Sequence, residues 1–155
     1  MKKIITYEDR LVHKLEQRFN KGIVKYGLIE DNDKILVGLS GGKDSLILLD
    51  LLARRSRILK PRFTVYAAHI VITNVPYQSD ELYLQSFAEE RGIQFVRYET
   101  SFDASTDTRK SPCFLCSWNR RKALFTVAKE LGCNKIALGH HMDDILETLL
   151  MNITF

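Results

Sequence analysis

Short apolar runs alternate with amphipathic stretches along this chain, and that alternation limits its fold more than any other feature. The runs Ile35–Leu39, Phe63–Ile72, Ile93–Tyr98 and Lys135–Leu138 each have the length and apolar character of a buried strand. Helical patterns lie between them at Ser45–Arg57, Ser79–Arg91 and Trp118–Leu131, and another begins at Asp143. Glycines at Gly92 and Gly132 stop two of these helices. Strands that alternate with helices of about 10–15 residues build a parallel sheet covered on both faces. The expected fold class is therefore α/β, a doubly wound parallel sheet. Ahead of it, Thr6 and Asp9 read as a helix start, Leu11, Leu15, Phe19 and Ile23 as one apolar stripe, and Gly27 as the stop. We expect residues 1–28 to form a helix packed on a single domain at 29–155, with a long polar loop at Ser101–Pro112.

Composition excludes several classes. The longest uncharged apolar stretch, Val65–Ile72, is eight residues and contains His69, far short of the roughly 20 that a membrane helix needs. The start of the chain turns polar at Thr6, so it offers no signal-peptide core. Three cysteines, an odd number, suit a reducing compartment, and a cytoplasmic protein without membrane contact is expected. With 23 Lys+Arg against 19 Asp+Glu, the net charge of +4 is a modest pointer to polyanionic partners. The apolar run Leu149–Phe155, without a capping glycine or proline, leads us to expect a chain truncated at its C-terminus.

Ser40-Gly41-Gly42-Lys43-Asp44-Ser45 stands directly between the first strand and the following helix. Glycines allow the backbone to approach a ligand, and a helix N-terminus presents free N–H groups and a positive dipole end. Lys43 adds a cation and Ser45 a hydroxyl, so the segment is a candidate anion cradle. It is not a Walker A loop, because Asp44 rather than Ser or Thr follows the lysine. A carboxylate at a phosphate site makes sense when Mg2+ lies between the two.

Cys113-Phe114-Leu115-Cys116 stands at or just before a helix, where the dipole and the nearby Arg120, Arg121 and Lys122 favour thiolates. On spacing alone the pair is half a zinc site, a redox pair, part of an iron–sulfur site or two packed thiols. Gly139-His140-His141-Met142-Asp143-Asp144 follows the fourth strand. Its carboxylates either hold Mg2+ or a ribose, or cap their own helix.

The loop at 40–45 resembles the PP-loop of the ATP pyrophosphatases, which split ATP between its α- and β-phosphates. Together with Ser111–Cys116, Arg120-Arg121, Lys135–His141 and Asp143–Thr148, it resembles the tRNA-cytidine 2-sulfurtransferase family. That resemblance implies ATP-dependent formation of 2-thiocytidine in the tRNA anticodon loop. It implies that Ser40, Gly41, Gly42, Lys43, Asp44 and Ser45 bind the ATP phosphates, with Asp44 on Mg2+, and that Gly139, His140, Asp143 and Asp144 line the nucleotide site. It further implies that Cys113 and Cys116 act in catalysis as two of three thiolate ligands of a 4Fe-4S cluster, the third lying beyond Phe155. The implied partners are tRNA, met by Arg120, Arg121 and Lys122, and a sulfur donor such as a cysteine desulfurase; a homodimer is compatible. Relatives carry an acidic residue after the second strand where this chain reads His69–Thr73. The basic group at Arg54–Arg62 is read as solvated surface, and Trp118 as a core or surface residue without a function. The alternatives are a tRNA 2-thiouridine synthetase, another PP-loop enzyme with a different substrate, or a nucleotide-binding module without turnover.

Overall fold

The computed structural model describes residues 6–76, 79–103, 105, 111–141, 143–144, 146–147 and 150. Its elements run α1 (Tyr7–Tyr26), β1 (Lys34–Gly38), α2 (Lys43–Ser56), β2 (Thr64–Ile72), α3 (Glu81–Glu89), β3 (Gln94–Thr100), α4 (Pro112–Glu130) and β4 (Lys135–Leu138). The strands form one sheet in the order β3-β2-β1-β4, with every pairing parallel.

Side-chain alternation along the strands explains the layers. Ile35, Val37, Val65 and Ala67 turn to one face and pack with Leu49, Leu52 and Ala53 of α2 and Leu84 and Ala88 of α3. Leu36, Ala68 and Ile70 turn to the other face, where Ala123, Leu124, Val127 and Ala128 of α4 cover them. Both faces of β1 and β2 are thus buried, which is why these strands read as continuous apolar runs. The chain steps outward from β1 to β2 to β3, then returns past both to place β4 on the opposite side of β1. The carboxyl ends of β1 and β4 therefore flank a topological switch point, where sheets of this kind open a crevice.

The expected capping at α1 is present. Thr6 Oγ1 accepts from the Asp9 N–H at 3.1 Å, Asp9 Oδ2 accepts from the Thr6 N–H at 3.0 Å, and Gly27 closes the helix at φ 57°. Asp33 fixes the register at the base of β1. It is 3% exposed, and it accepts from the Glu30 N–H at 2.7 Å, from Asn134 Nδ2 at 2.7 Å and from Lys135 Nζ at 2.7 Å. Burial pushes this carboxyl up, but the Glu30 N–H and the Lys135 and Asn134 side chains more than offset it, leaving the group below its ordinary value. The two strands that flank the crevice are thereby tied together at their opposite ends.

Two boundaries differ from expectation in ways that matter for the site. Helix α2 begins at Lys43 with Gly42 as its N-cap, so Lys43 and Asp44 belong to its first turn. Helix α4 begins at Pro112, not Trp118, because Ser111 caps it and Pro112 occupies the first turn. The Ser111 hydroxyl accepts from the Phe114 N–H at 3.3 Å. Much of the polar stretch before it lies outside the described residues. Past β4, Asp143, Asp144, Leu146, Glu147 and Leu150 are helical, as expected from Asp143 onward.

Candidate functional site

A cleft of about 210 Å³ opens at the switch point. Leu39, Ser40 and Ser45 form its β1 side, Leu138, Gly139 and His140 its β4 side, and Ala68, His69 and Ile70 its β2 side. Ser117, Arg120, Arg121 and Leu124 of α4 supply the remaining wall. The structure therefore brings together six sequence candidates: Ser40, Ser45, Gly139, His140, Arg120 and Arg121.

The loop between β1 and α2 is braced from within. Ser45, 4% exposed, donates its hydroxyl to the Gly42 carbonyl at 2.8 Å and accepts from the Ser40 N–H at 3.3 Å. Its hydroxyl thus holds the loop's shape while its position lines the cleft. Gly41 sits at φ 89°, a conformation that side chains rarely adopt. Gly42, whose N–H donates to Ser40 Oγ at 3.4 Å, precedes the first turn of α2 without any side-chain cap on that helix, whose N-terminal N–H groups stand at its positive dipole end. Lys43 and Asp44 are exposed beside them, outside the cleft lining.

Gly139 is glycine for a different reason. A Cβ there would lie 2.6 Å from the Ser45 nitrogen, 2.8 Å from its Cα and 2.9 Å from the Asp44 carbonyl carbon. The backbone after β4 presses directly on the first turn of α2, so the two halves of the switch point touch.

His69 is the residue that sequence reasoning missed. It is 3% exposed, and its Nδ1 lies 2.7 Å from the Leu39 carbonyl, the residue preceding the glycine loop. A carbonyl only accepts, so Nδ1 donates, which leaves Nε2 to accept from the Ser79 hydroxyl at 2.6 Å. His69 therefore ties the end of β1 to the approach to α3. Its signal in the sequence is a histidine within an otherwise apolar strand.

The carboxylates after β4 have local partners. Asp144 Oδ2 accepts from the His141 N–H at 2.8 Å, the back-reaching arm of a helix cap. That hydrogen bond, with lesser help from the His141 and His140 side chains, outweighs the opposing effect of burial and holds the Asp144 carboxyl below its ordinary value. His140 Nδ1 also lies 3.7 Å from Asp144. Asp143 is exposed. Neither aspartate is among the cleft-lining residues.

Cys113 and Cys116 sit one turn apart in the first two turns of α4, Cys113 exposed and Cys116 half-buried, both as free thiols. As a donor set they fit two of the thiolates that an iron–sulfur cluster needs. Among the described residues no group of three His, Cys, Asp or Glu could hold a metal ion. Cys133 is half-buried, and burial raises its thiol above the ordinary value against a smaller lowering by Lys34. Lys122 lies over the Trp118 ring, 5.5 Å from its centroid, on the outer side of α4. No helix among the described residues is long and apolar enough to cross a membrane.

The chain is 38% identical over 152 residues to a tRNA-cytidine(32) 2-sulfurtransferase of Geotalea daltonii, covering 96% of this chain and 60% of that protein. It is 40% identical to a protein of the same name from Paracidovorax citrulli, covering 95% of this chain and 49% of the relative. The chain thus spans half to three fifths of the length of these curated relatives. Among solved structures it is similar to the U34-tRNA thiolase NcsA from Methanococcus maripaludis, solved with its 4Fe-4S cluster. That likeness has a TM-score of 0.76 at 29% identity and covers 92% of this chain and 49% of that one. A family model described as a PP-loop domain matches residues 9–154, which takes in the braced glycine loop, the crevice beside it and the helix bearing both thiols: this chain belongs to the PP-loop domain family.

Proposed function

We propose that this chain is the ATP-using part of a tRNA thiolase that converts a cytidine of the anticodon loop to 2-thiocytidine. The observation that carries the reading is the cleft at the switch point. The glycine loop, through Ser40 and Ser45, shares it with Arg120 and Arg121, and the helix that bears those arginines also bears Cys113 and Cys116. The names of the sulfurtransferase relatives support the same chemistry.

In this reading the ATP phosphates lie over Ser40–Ser45, held by the loop's N–H groups, the dipole of α2 and the Lys43 ammonium. Asp44, exposed in that first turn, would share Mg2+ with the phosphates. The cytosine C2 oxygen attacks the α-phosphorus and pyrophosphate leaves, its charge offset by Lys43 and the loop. Sulfur then bonds to C2, and AMP departs with the electron pair of the C2–O bond. Arg120 and Arg121 meet the phosphates of the adenylate or of the RNA backbone, with Lys122 adding charge outside the cleft. His140 reaches the nucleotide from the β4 side, while Asp143 and Asp144 act by setting the helix beyond it. Cys113 and Cys116 would hold an iron–sulfur cluster with a third ligand, and when bound the cluster would supply sulfur. A cysteine desulfurase as donor, a cytoplasmic site of action and self-association through the exposed Tyr7 and Leu11 of α1 complete the proposal.

The test is mass spectrometry of tRNA nucleosides from cells lacking the gene. Loss of 2-thiocytidine, restored by the wild-type gene but not by Asp44→Ala or Cys113→Ala, is the expected result. A second reading, thiolation of uridine, is favoured by the likeness to the U34-tRNA thiolase; loss of a 2-thiouridine instead would select it. Unchanged thionucleosides beside intact ATP binding would leave a nucleotide-binding module.

A further inference from the structure

The outer face of α4 carries an aromatic and basic stripe, of which the site described above uses Arg121 and Lys122 but none of the rings. Phe114, Trp118 and Phe125 are 47%, 53% and 68% exposed. They recur at spacings of four and seven residues, which place them on one side of a helix. Exposed Arg121, Lys122 and Lys129 are interleaved with them at three- and four-residue steps. The whole of α4 contains Arg120, Arg121, Lys122 and Lys129 against one acid, Glu130. Lys122 already rests over the Trp118 ring. Arg121 also lines the cleft, so the stripe runs without a break into its mouth.

We infer that this face is a stacking platform for an unpaired RNA strand, with Trp118 and Phe125 each under a base and Lys122, Lys129 and Arg121 on the phosphates. The inference rests on the RNA-substrate reading above and assigns it a surface. A face destined for burial against protein would have to desolvate three cations, which is costly without paired acids. Single-stranded RNA offers both complements at once, base faces for the rings and phosphates for the cations. Duplex RNA hides its base faces and would satisfy only the charges.

Trp118 is the sole tryptophan of the chain and so reports on its own surroundings. The experiment is a titration of the 155-residue chain with a single-stranded oligouridine, reading Trp118 emission and RNA anisotropy together. Saturable quenching is expected, with an RNA duplex of equal length quenching little. Trp118→Ala and Phe125→Ala, which keep a strong helix former at exposed positions, should each weaken binding by between about fivefold and a hundredfold. Lys122→Ala with Lys129→Ala should flatten the salt dependence by roughly 0.7 of log affinity per log salt for each phosphate left without its lysine. ATP affinity, measured separately, should not change in Trp118→Ala or Phe125→Ala. If RNA binds while Trp118 emission and the affinities of both aromatic variants stay at wild-type values, the platform is refuted and RNA docks elsewhere, leaving the thiolase reading intact. Emission that shifts with protein concentration alone refutes it in favour of a second copy on this face. Absence of any RNA binding beside normal ATP binding refutes it together with the RNA-substrate reading.

Discussion

Gly139→Ala isolates the close approach on which the crevice is built. Gly139 is not among the glycines with positive φ, so alanine meets no backbone strain there. The cost is purely steric. The new Cβ would stand 2.6 Å from the Ser45 nitrogen, whereas ordinary contact begins at 3.4 Å. All three atoms it meets are backbone, so no side chain can rotate away, and the loop after β4 must separate from α2 by roughly 0.8 Å, the overlap with ordinary contact distance. Overpacking of this kind costs about 1–3 kcal/mol, and about 2 kcal/mol lowers the melting temperature of a 150-residue domain by roughly 4–8 °C. The displaced element is the helix turn that carries Lys43 and Asp44, so ATP affinity should fall by about tenfold or more. Gly42→Ala is the control. Its Cβ would meet only Ser40 Oγ, at 3.5 Å, so the cost is that of a poorer N-cap, about 0.5–1 kcal/mol, and the fold should melt within about 4 °C of wild type. Circular dichroism melts and calorimetric ATP titrations on both variants make the comparison. A Gly139→Ala protein that melts with wild type and binds ATP equally well would refute the reasoning.

Other perturbations read other parts of the site. Gly41→Ala forces a side chain to φ 89° and should cost about 1–2 kcal/mol in urea unfolding, with a loss of ATP affinity. His69→Ala orphans the Leu39 carbonyl and the Ser79 hydroxyl, and should cost about 3 kcal/mol; unchanged stability would show that the bridge contributes nothing. Because the Asp33 carboxyl sits below its ordinary value of 3.8, its contribution to stability is fully present above that pH and is lost as pH falls through the folded value. Urea midpoints should therefore decline below about pH 4, and Asp33→Asn should flatten that decline while weakening the protein at neutral pH. Cys113→Ala and Cys116→Ala should abolish iron loading, read by visible absorbance of anaerobically reconstituted protein, and leave ATP affinity unchanged, since neither thiol lines the cleft.

The layers of this fold were legible because burial on both faces makes β1 and β2 continuous apolar runs, and because Thr6, Asp9 and Gly27 carry their caps within one turn of sequence. The start of α4 was less legible. Apolar periodicity begins only where the helix meets the sheet, near Leu115, whereas the helix itself is nucleated earlier by Ser111 and Pro112. The distinction between Gly139 and Gly42 was not legible at all, since one is required by a neighbour nearly a hundred positions away and the other meets little. Long-range proximity of that kind leaves no local signal.

For the same reason the motifs were easier to find than their division of labour. Ser45 belongs to the glycine-loop motif, yet its hydroxyl is committed to Gly42 and Ser40. Asp144 belongs to the motif after β4, yet its carboxylate caps His141. In both, a motif residue works by fixing the backbone that a ligand would meet. The groups left facing the cleft come from segments far apart in sequence: Ser40 after β1, His140 after β4, and Arg120 and Arg121 from the middle of α4. They converge because β4 lies on the opposite side of β1 from β2, so two loops meet edge to edge while α4 crosses behind them. The strand order is thus what turns three separate motifs into one site, and Gly139 is the residue at which that convergence is tightest.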